Sequence, residues 1–126
     1  MIGPPGVFVI ETKSFSGTLE IRGSDVYVAG RRRTAMLDEV RREVAGVESA
    51  LVCELATLGI SVTPLICVHR AELPLFRSEA ASVPIVSAKG MVKRLRNAPT
   101  RLDAATIAHL ASVADARLRA AGPRNA

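Results

Sequence analysis

Eight residues near the amino terminus, Gly6-Val7-Phe8-Val9-Ile10-Glu11-Thr12-Lys13, restrict the possible folds more than any other stretch. Four consecutive apolar residues, two valines and an isoleucine among them, are bounded by glycine and proline and run into Glu-x-Lys. That pattern reads as a β-strand buried on both faces. Side chains alternate along a strand, so Glu11 and Lys13 share a face with Val7 and Val9, while Phe8, Ile10 and Thr12 take the other. A carboxylate and an ammonium at the end of a buried strand are costly to desolvate unless they pair or bind something. Chemistry is expected there first.

The rest of the chain supplies partners for this strand. Ile2 reads as the tail of a preceding strand, with Gly3 to Gly6 as the turn between them, and a domain that opens inside a hairpin is expected to lack an element. Ser16-Gly17 signals a turn into Thr18–Arg22, and Gly23-Ser24 a second turn into Asp25–Val28, ending at Gly30. The expectation is a three-strand antiparallel meander. From Thr34 to Leu58 the period lengthens to that of a helix, with Leu37, Val40, Val44, Val47, Leu51, Leu55 and Leu58 as the apolar stripe, Thr34 as N-cap and Gly59 as stop. Val62–Val68 is a second buried strand, with Pro64 near its start because proline cannot donate to a ladder. A short strand around Pro84-Ile85-Val86 follows, then a basic helix over 89–97 closed by Pro99. Thr100-x-x-Asp103 resembles a capping box for a last helix reaching about Ala120, striped by Ile107, Leu110, Ala114 and Leu118 and ended by Gly122-Pro123. The fold class expected is α/β or α+β: one mixed sheet with a long helix and a C-terminal helix packed on it, a single domain over 1–121 and a tail over 122–126.

Composition narrows the function. At 126 residues the chain is one domain, and 48% apolar residues place it among globular proteins. A net charge of +5, gathered at Arg31-Arg32-Arg33, Arg41-Arg42 and Lys93-Arg94-Arg96, suits a polyanionic partner such as nucleic acid, although a solvated arginine-rich surface explains it equally. One tyrosine, no tryptophan and three phenylalanines argue against an aromatic platform for single strands. Cys53 and Cys67 lack metal or redox spacing and read as reduced, buried thiols of a cytoplasmic protein. No run is apolar enough to span a membrane, so no membrane partner is expected. His69 reads as a surface loop residue and His109 as a residue packed beside the last helix's stripe.

Taken alone, Glu-x-Lys on a strand is a common same-face ion pair. The longer stretch Gly-Pro-Pro-Gly-Val-Phe-Val-Ile-Glu-Thr-Lys-Ser-Phe-Ser-Gly (3–17) resembles the central motif of the nuclease-related domain (NERD) family, a branch of the restriction-endonuclease-like fold with its Asp…Glu-x-Lys signature. The order of meander, long helix and buried strand fits that likeness over residues 2 to 97. The resemblance implies a Mg²⁺- or Mn²⁺-dependent phosphodiesterase acting on DNA. Glu11 would be the metal-binding carboxylate. Lys13 would position or deprotonate the attacking water or offset charge on the phosphate, with burial and the metal both favouring its neutral form.

Two departures accompany the resemblance. The family's metal-binding aspartate lies upstream of Gly-Pro-Pro-Gly, where this chain has only Met1-Ile2, so an N-terminally truncated domain with an impaired metal site is expected. Either a homodimer or another partner supplies the missing strand and aspartate, or the start of the sequence is set too late, or the domain is a degenerate remnant. The family's helix also carries a glutamine near its start. This sequence has none, and Glu39 aligns there, with Glu43 as the fallback and an ordinary exposed helix residue as the plain reading. Arg31, Arg32 and Arg33 are candidate phosphate contacts. The alternative of another class is a non-catalytic nucleic-acid-binding or self-assembly module that keeps the fold, with Glu11 and Lys13 as a structural pair.

Overall fold

The computed structural model describes residues 1–75 and 77–120. Its sheet contains β1 (Ile2–Gly3), β2 (Gly6–Arg22), β3 (Asp25–Val28), β4 (Arg31–Arg32), β5 (Val62–Glu72), β6 (Glu79–Ala80) and β7 (Val83–Val86). The strand order is β4-β3-β2-β5-β7-β6, with β1 also paired to β2. Neighbours are antiparallel except β2·β5 and β5·β7, which are parallel. Four helices complete the fold: α1 (Ala35–Ala50), α2 (Val52–Leu58), α3 (Ala88–Asn97) and α4 (Ala104–Ala120). The mixed α/β architecture and the opening hairpin, with Ile2 opposite Val7 and Gly3 opposite Gly6, match the sequence reading.

The longest strand is the largest departure from it. Residues expected to form two strands joined by a turn at Ser16-Gly17 run as one, and the turn signal is instead a bulge against β5 between Ser14 and Gly17. An extra residue there kinks the strand without reversing it. Gly17 has φ +112°, and a Cβ on it would lie 2.9 Å from the Ala29 Cβ, so glycine is required for close approach as well as for turning. The antiparallel meander therefore comprises the second half of β2 with β3 and β4.

β2 is not buried on both faces. Val7 and Val9 lie in the main core with Leu37, Val40, Val44, Ile66 and Val68, under α1. On the reverse face Phe8 and Ile10 are half-buried, and Thr12 and Ser14 are exposed. α3 covers part of that face, where Phe8, Thr63, Leu65 and Leu95 line a cleft. The sheet thus has one fully packed face and one partly wet one.

The helix expected over 34–58 is two helices meeting at Leu51, a fully buried residue whose φ of −113° and ψ of 20° leave the helical region. Arg117 from α4 donates to the Ala50 carbonyl and to Glu54, both at 2.7 Å, binding α4 to the junction. Thr34 does not cap α1 through its side chain. Its hydroxyl accepts from the Val26 amide and donates to Asp25, tying the helix start to β3. Gly59 ends α2 in the left-handed conformation, as expected. Leu58 and Leu118 are exposed rather than part of a packed stripe.

α3 starts at Ser87, whose hydroxyl accepts from the Gly90 amide, a cap the sequence reading missed. The capping box read at Thr100 is displaced: Asp103 itself accepts from the Thr106 amide at 2.8 Å. Pro64 lies at the third position of β5, ahead of Ile66 and Cys67 where β7 begins to pair. The Gly122-Pro123 stop and the 122–126 tail lie outside the described residues.

Candidate functional site

Glu11 and Lys13 project from the packed face of β2, in register with Ile66 and Val68 of β5. α1 crosses this face on its buried residues Met36, Leu37, Val40 and Val44. Glu39 and Glu43 adjoin that stripe and are one turn apart, so both reach the same side of the helix. Packing α1 on Val7 and Val9 therefore sets two glutamates over the Glu-x-Lys pair. Three carboxylates and one ammonium share the site.

The Lys13 Nζ donates to Glu39 Oε2 at 2.9 Å. The Glu43 carboxyl lies against the Glu11 carboxyl, close enough to hydrogen-bond to it when protonated. That contact first, then burial, then the charges of Glu11 and Glu39, push the Glu43 carboxyl up to about 7, and Lys13 offsets only part of the shift. Lys13 moves up from its ordinary value, chiefly through the hydrogen bond to Glu39, with burial opposing and the charges of Glu39, Glu11 and Glu43 adding to the rise.

Two expectations are corrected here. Lys13 was expected to favour its neutral form through burial and a bound metal together; of these, burial is outweighed by the surrounding anions, which raise its proton affinity. The plain reading of Glu39 as an ordinary exposed helix residue is also modified, because Glu39 is half-buried and is the salt-bridge partner of Lys13. Glu43, placed second to Glu39, is the residue that meets Glu11. The i, i+4 spacing of the two glutamates was the available signal.

The three arginines separate. Arg32 pairs with Asp25 at 3.1 Å and is opposite Tyr27; Tyr27 stacks under Arg22 on the reverse face. Arg31 is opposite Val28 of the core, which places it on the packed face at the sheet's margin. Arg33 lies over the Phe15 ring, 5.6 Å from its centroid, just beyond Lys13 along β2. Arg33 is thus next to the candidate site along β2, Arg31 shares its face only at the sheet's far margin, and Arg32 turns to the other face.

His69 belongs to β5 rather than to a loop and is exposed opposite Ser14 on the reverse face. His109 is exposed and lines a groove between α2 and α4 with Cys53 and Thr57, so it does not pack into the helix stripe. Cys67 is buried as expected and burial pushes its thiol up, whereas Cys53 is exposed.

Among the described residues no three metal-donor side chains converge tightly enough to hold an ion by themselves, and no helix is long and apolar enough to cross a membrane. Comparison with protein-family models, curated proteins and solved structures returned no match for the chain.

Proposed function

We propose that the chain is a nuclease-related domain whose site on β2 and α1 acts on DNA phosphodiesters with a divalent cation. The observation that carries this reading is the meeting of Glu11 and Lys13 with Glu39 and Glu43 on the packed face of the central strand. A pair of carboxyls sharing one proton offers a cation the place of that proton. The donors are all oxygen, which suits Mg²⁺ or Mn²⁺, ions held by one or two carboxylates with the remaining positions left to water and phosphate.

Glu11 and Glu43 would hold the ion, which when bound supplies positive charge against that developing on the phosphoryl oxygens. Lys13, protonated and oriented by Glu39, contributes charge to the phosphate; its raised proton affinity disfavours the role of base. Arg31 and Arg33 would take neighbouring phosphates along the backbone. Without a cation the three carboxylates outweigh Lys13 and repel an incoming phosphate, so DNA engagement at the site requires the ion.

A cleavage assay on supercoiled and linear DNA with Mg²⁺ or Mn²⁺ tests this. Nicking that needs the metal and disappears in Glu11→Ala and Lys13→Ala is the expected result. An absence of cleavage above those controls rejects an active nuclease. The same local repulsion then favours the second reading, a non-catalytic module that contacts nucleic acid through its arginines.

A further inference from the structure

The reverse face of the sheet, across from the carboxylates, holds a cleft under α3. The helix packs there on β5 and β7. Leu65 is only 1% exposed yet stands outside the main core of the other face. Toward the C-terminal end of α3, Phe8, Ile60, Leu65 and Leu95 line a cleft of about 320 Å³, at the small end of the range for pockets that hold organic ligands. α3 has no fully buried residue of its own, so its packing on the sheet leaves this apolar surface open.

The same lining carries Arg94 and Arg101 and, among the described residues, no acidic side chain. Arg94 reaches Glu79 only at 3.6 Å. Arg101 is anchored through its backbone, its amide donating to the Pro4 carbonyl at 2.7 Å. Its exposed side chain makes no ion pair among the described residues. An apolar floor with two guanidinium groups and no carboxylate is complementary to an anion that has an apolar body.

We infer that this cleft binds a medium-chain aliphatic carboxylate, with its chain on Phe8, Ile60, Leu65 and Leu95 and its carboxylate on Arg101 and Arg94. The ligand needs both parts. α3 ends at Asn97, beside Ala98 and Pro99 of the lining, and the free carbonyls of a helix end repel anions. An inorganic ion with no apolar contact would therefore not be held. A neutral chain would leave the guanidinium groups to water. Phe8 is the one aromatic residue of the lining, so the surface suits a flexible chain better than a stacked nucleobase. The bound chain would touch Leu95 of the helix and Phe8 and Leu65 of the strands beneath it. It would thus supply packing that α3 lacks, and a ligand that binds only the docked helix stabilises it by mass action.

Isothermal titration of the full chain with octanoate tests the inference. One octanoate should bind per chain, and each methylene added between butanoate and octanoate should tighten binding about 4-fold. Octanol should bind about 5-fold more weakly than octanoate, and Arg101→Gln should remove that difference. Thr63→Trp, which places an indole in the cleft from an exposed position of β5, should abolish binding with far-ultraviolet circular dichroism unchanged. Arg101→Gln, at an exposed residue, carries the test if Thr63→Trp fails to fold. Octanoate should also slow amide hydrogen exchange across Ala88–Asn97. No binding up to about 5 mM octanoate overturns the inference. So do octanol binding as tightly as octanoate, thymidine monophosphate binding more tightly than either, and octanoate binding that both substitutions leave intact. None of these readouts involves cleavage or a metal, so the cleft and the proposed activity stand or fall separately.

Discussion

At the scale of single residues, Glu43 is where the fold pays most visibly for its site. Its carboxyl titrates near 7 in the folded chain against an ordinary 4.5, because it shares a proton with Glu11. Between those values the native state binds more protons than the unfolded state, so stability from this group is complete below about 4.5 and is lost as pH rises through about 7. Glu43→Gln keeps a donor beside Glu11 without adding charge. At pH 8 the variant should melt a few degrees above wild type, about 1 kcal/mol once solvent screening of this exposed group is allowed for. Near pH 4.5 the two should coincide. Parallel melting curves across that range would show that the carboxyls do not share a proton. The sequence made Glu11 and Lys13 legible because an ion pair on an apolar strand is chemically conspicuous. It left Glu43 unresolved because i, i+4 glutamates are ordinary on a solvated helix, and only the crossing of α1 over β2 turns them into a site.

At the scale of elements, periodicity was a good guide to what forms and a poor one to where it bends. The buried strand β5, the helical stripe and the left-handed stop at Gly59 follow from spacing and backbone preference. The β2 bulge and the break at Leu51 do not, because both are decided by tertiary contacts: the approach of Ala29 to Gly17 and the reach of Arg117 from α4 to the Ala50 carbonyl. α3 shows how local chemistry can decide an element. It has no fully buried residue, so little packing supports it beyond half-buried Met91 and Leu95, and the Ser87 cap is a large part of its stability. Ser87→Ala should cost α3 about 1 kcal/mol. The loss should appear as faster amide hydrogen exchange across Ala88–Asn97, with protection in β2 and β5 retained. Uniform loss of protection throughout the chain would instead make α3 part of the global folding unit.

At the scale of the whole molecule the sheet divides the positive charge into two surfaces. Arg31 and Arg33 lie on the packed face, Arg33 beside the candidate site and Arg31 at the sheet's margin. Lys89, Lys93 and Arg96 share one side of α3, which covers the reverse face. The net charge of +5 is compatible with DNA on either, and composition had no means of choosing, since spacing along the chain does not say which face of a sheet a residue reaches. The acidic site makes the choice consequential: DNA held on α3 would leave Glu11 and Lys13 across the sheet from the phosphates. Each phosphate contact contributes about 0.9 to the slope of log affinity against log salt. With Mg²⁺ present, a double Arg31→Ala and Arg33→Ala variant should therefore bind duplex DNA more weakly, with a slope reduced by up to about 2. A triple Lys89→Ala, Lys93→Ala and Arg96→Ala variant should keep the wild-type slope. The reverse pattern would put DNA on α3 and separate binding from the carboxylate site, and the nuclease reading would then lose its substrate geometry even though the Glu11–Lys13–Glu39–Glu43 cluster remained intact.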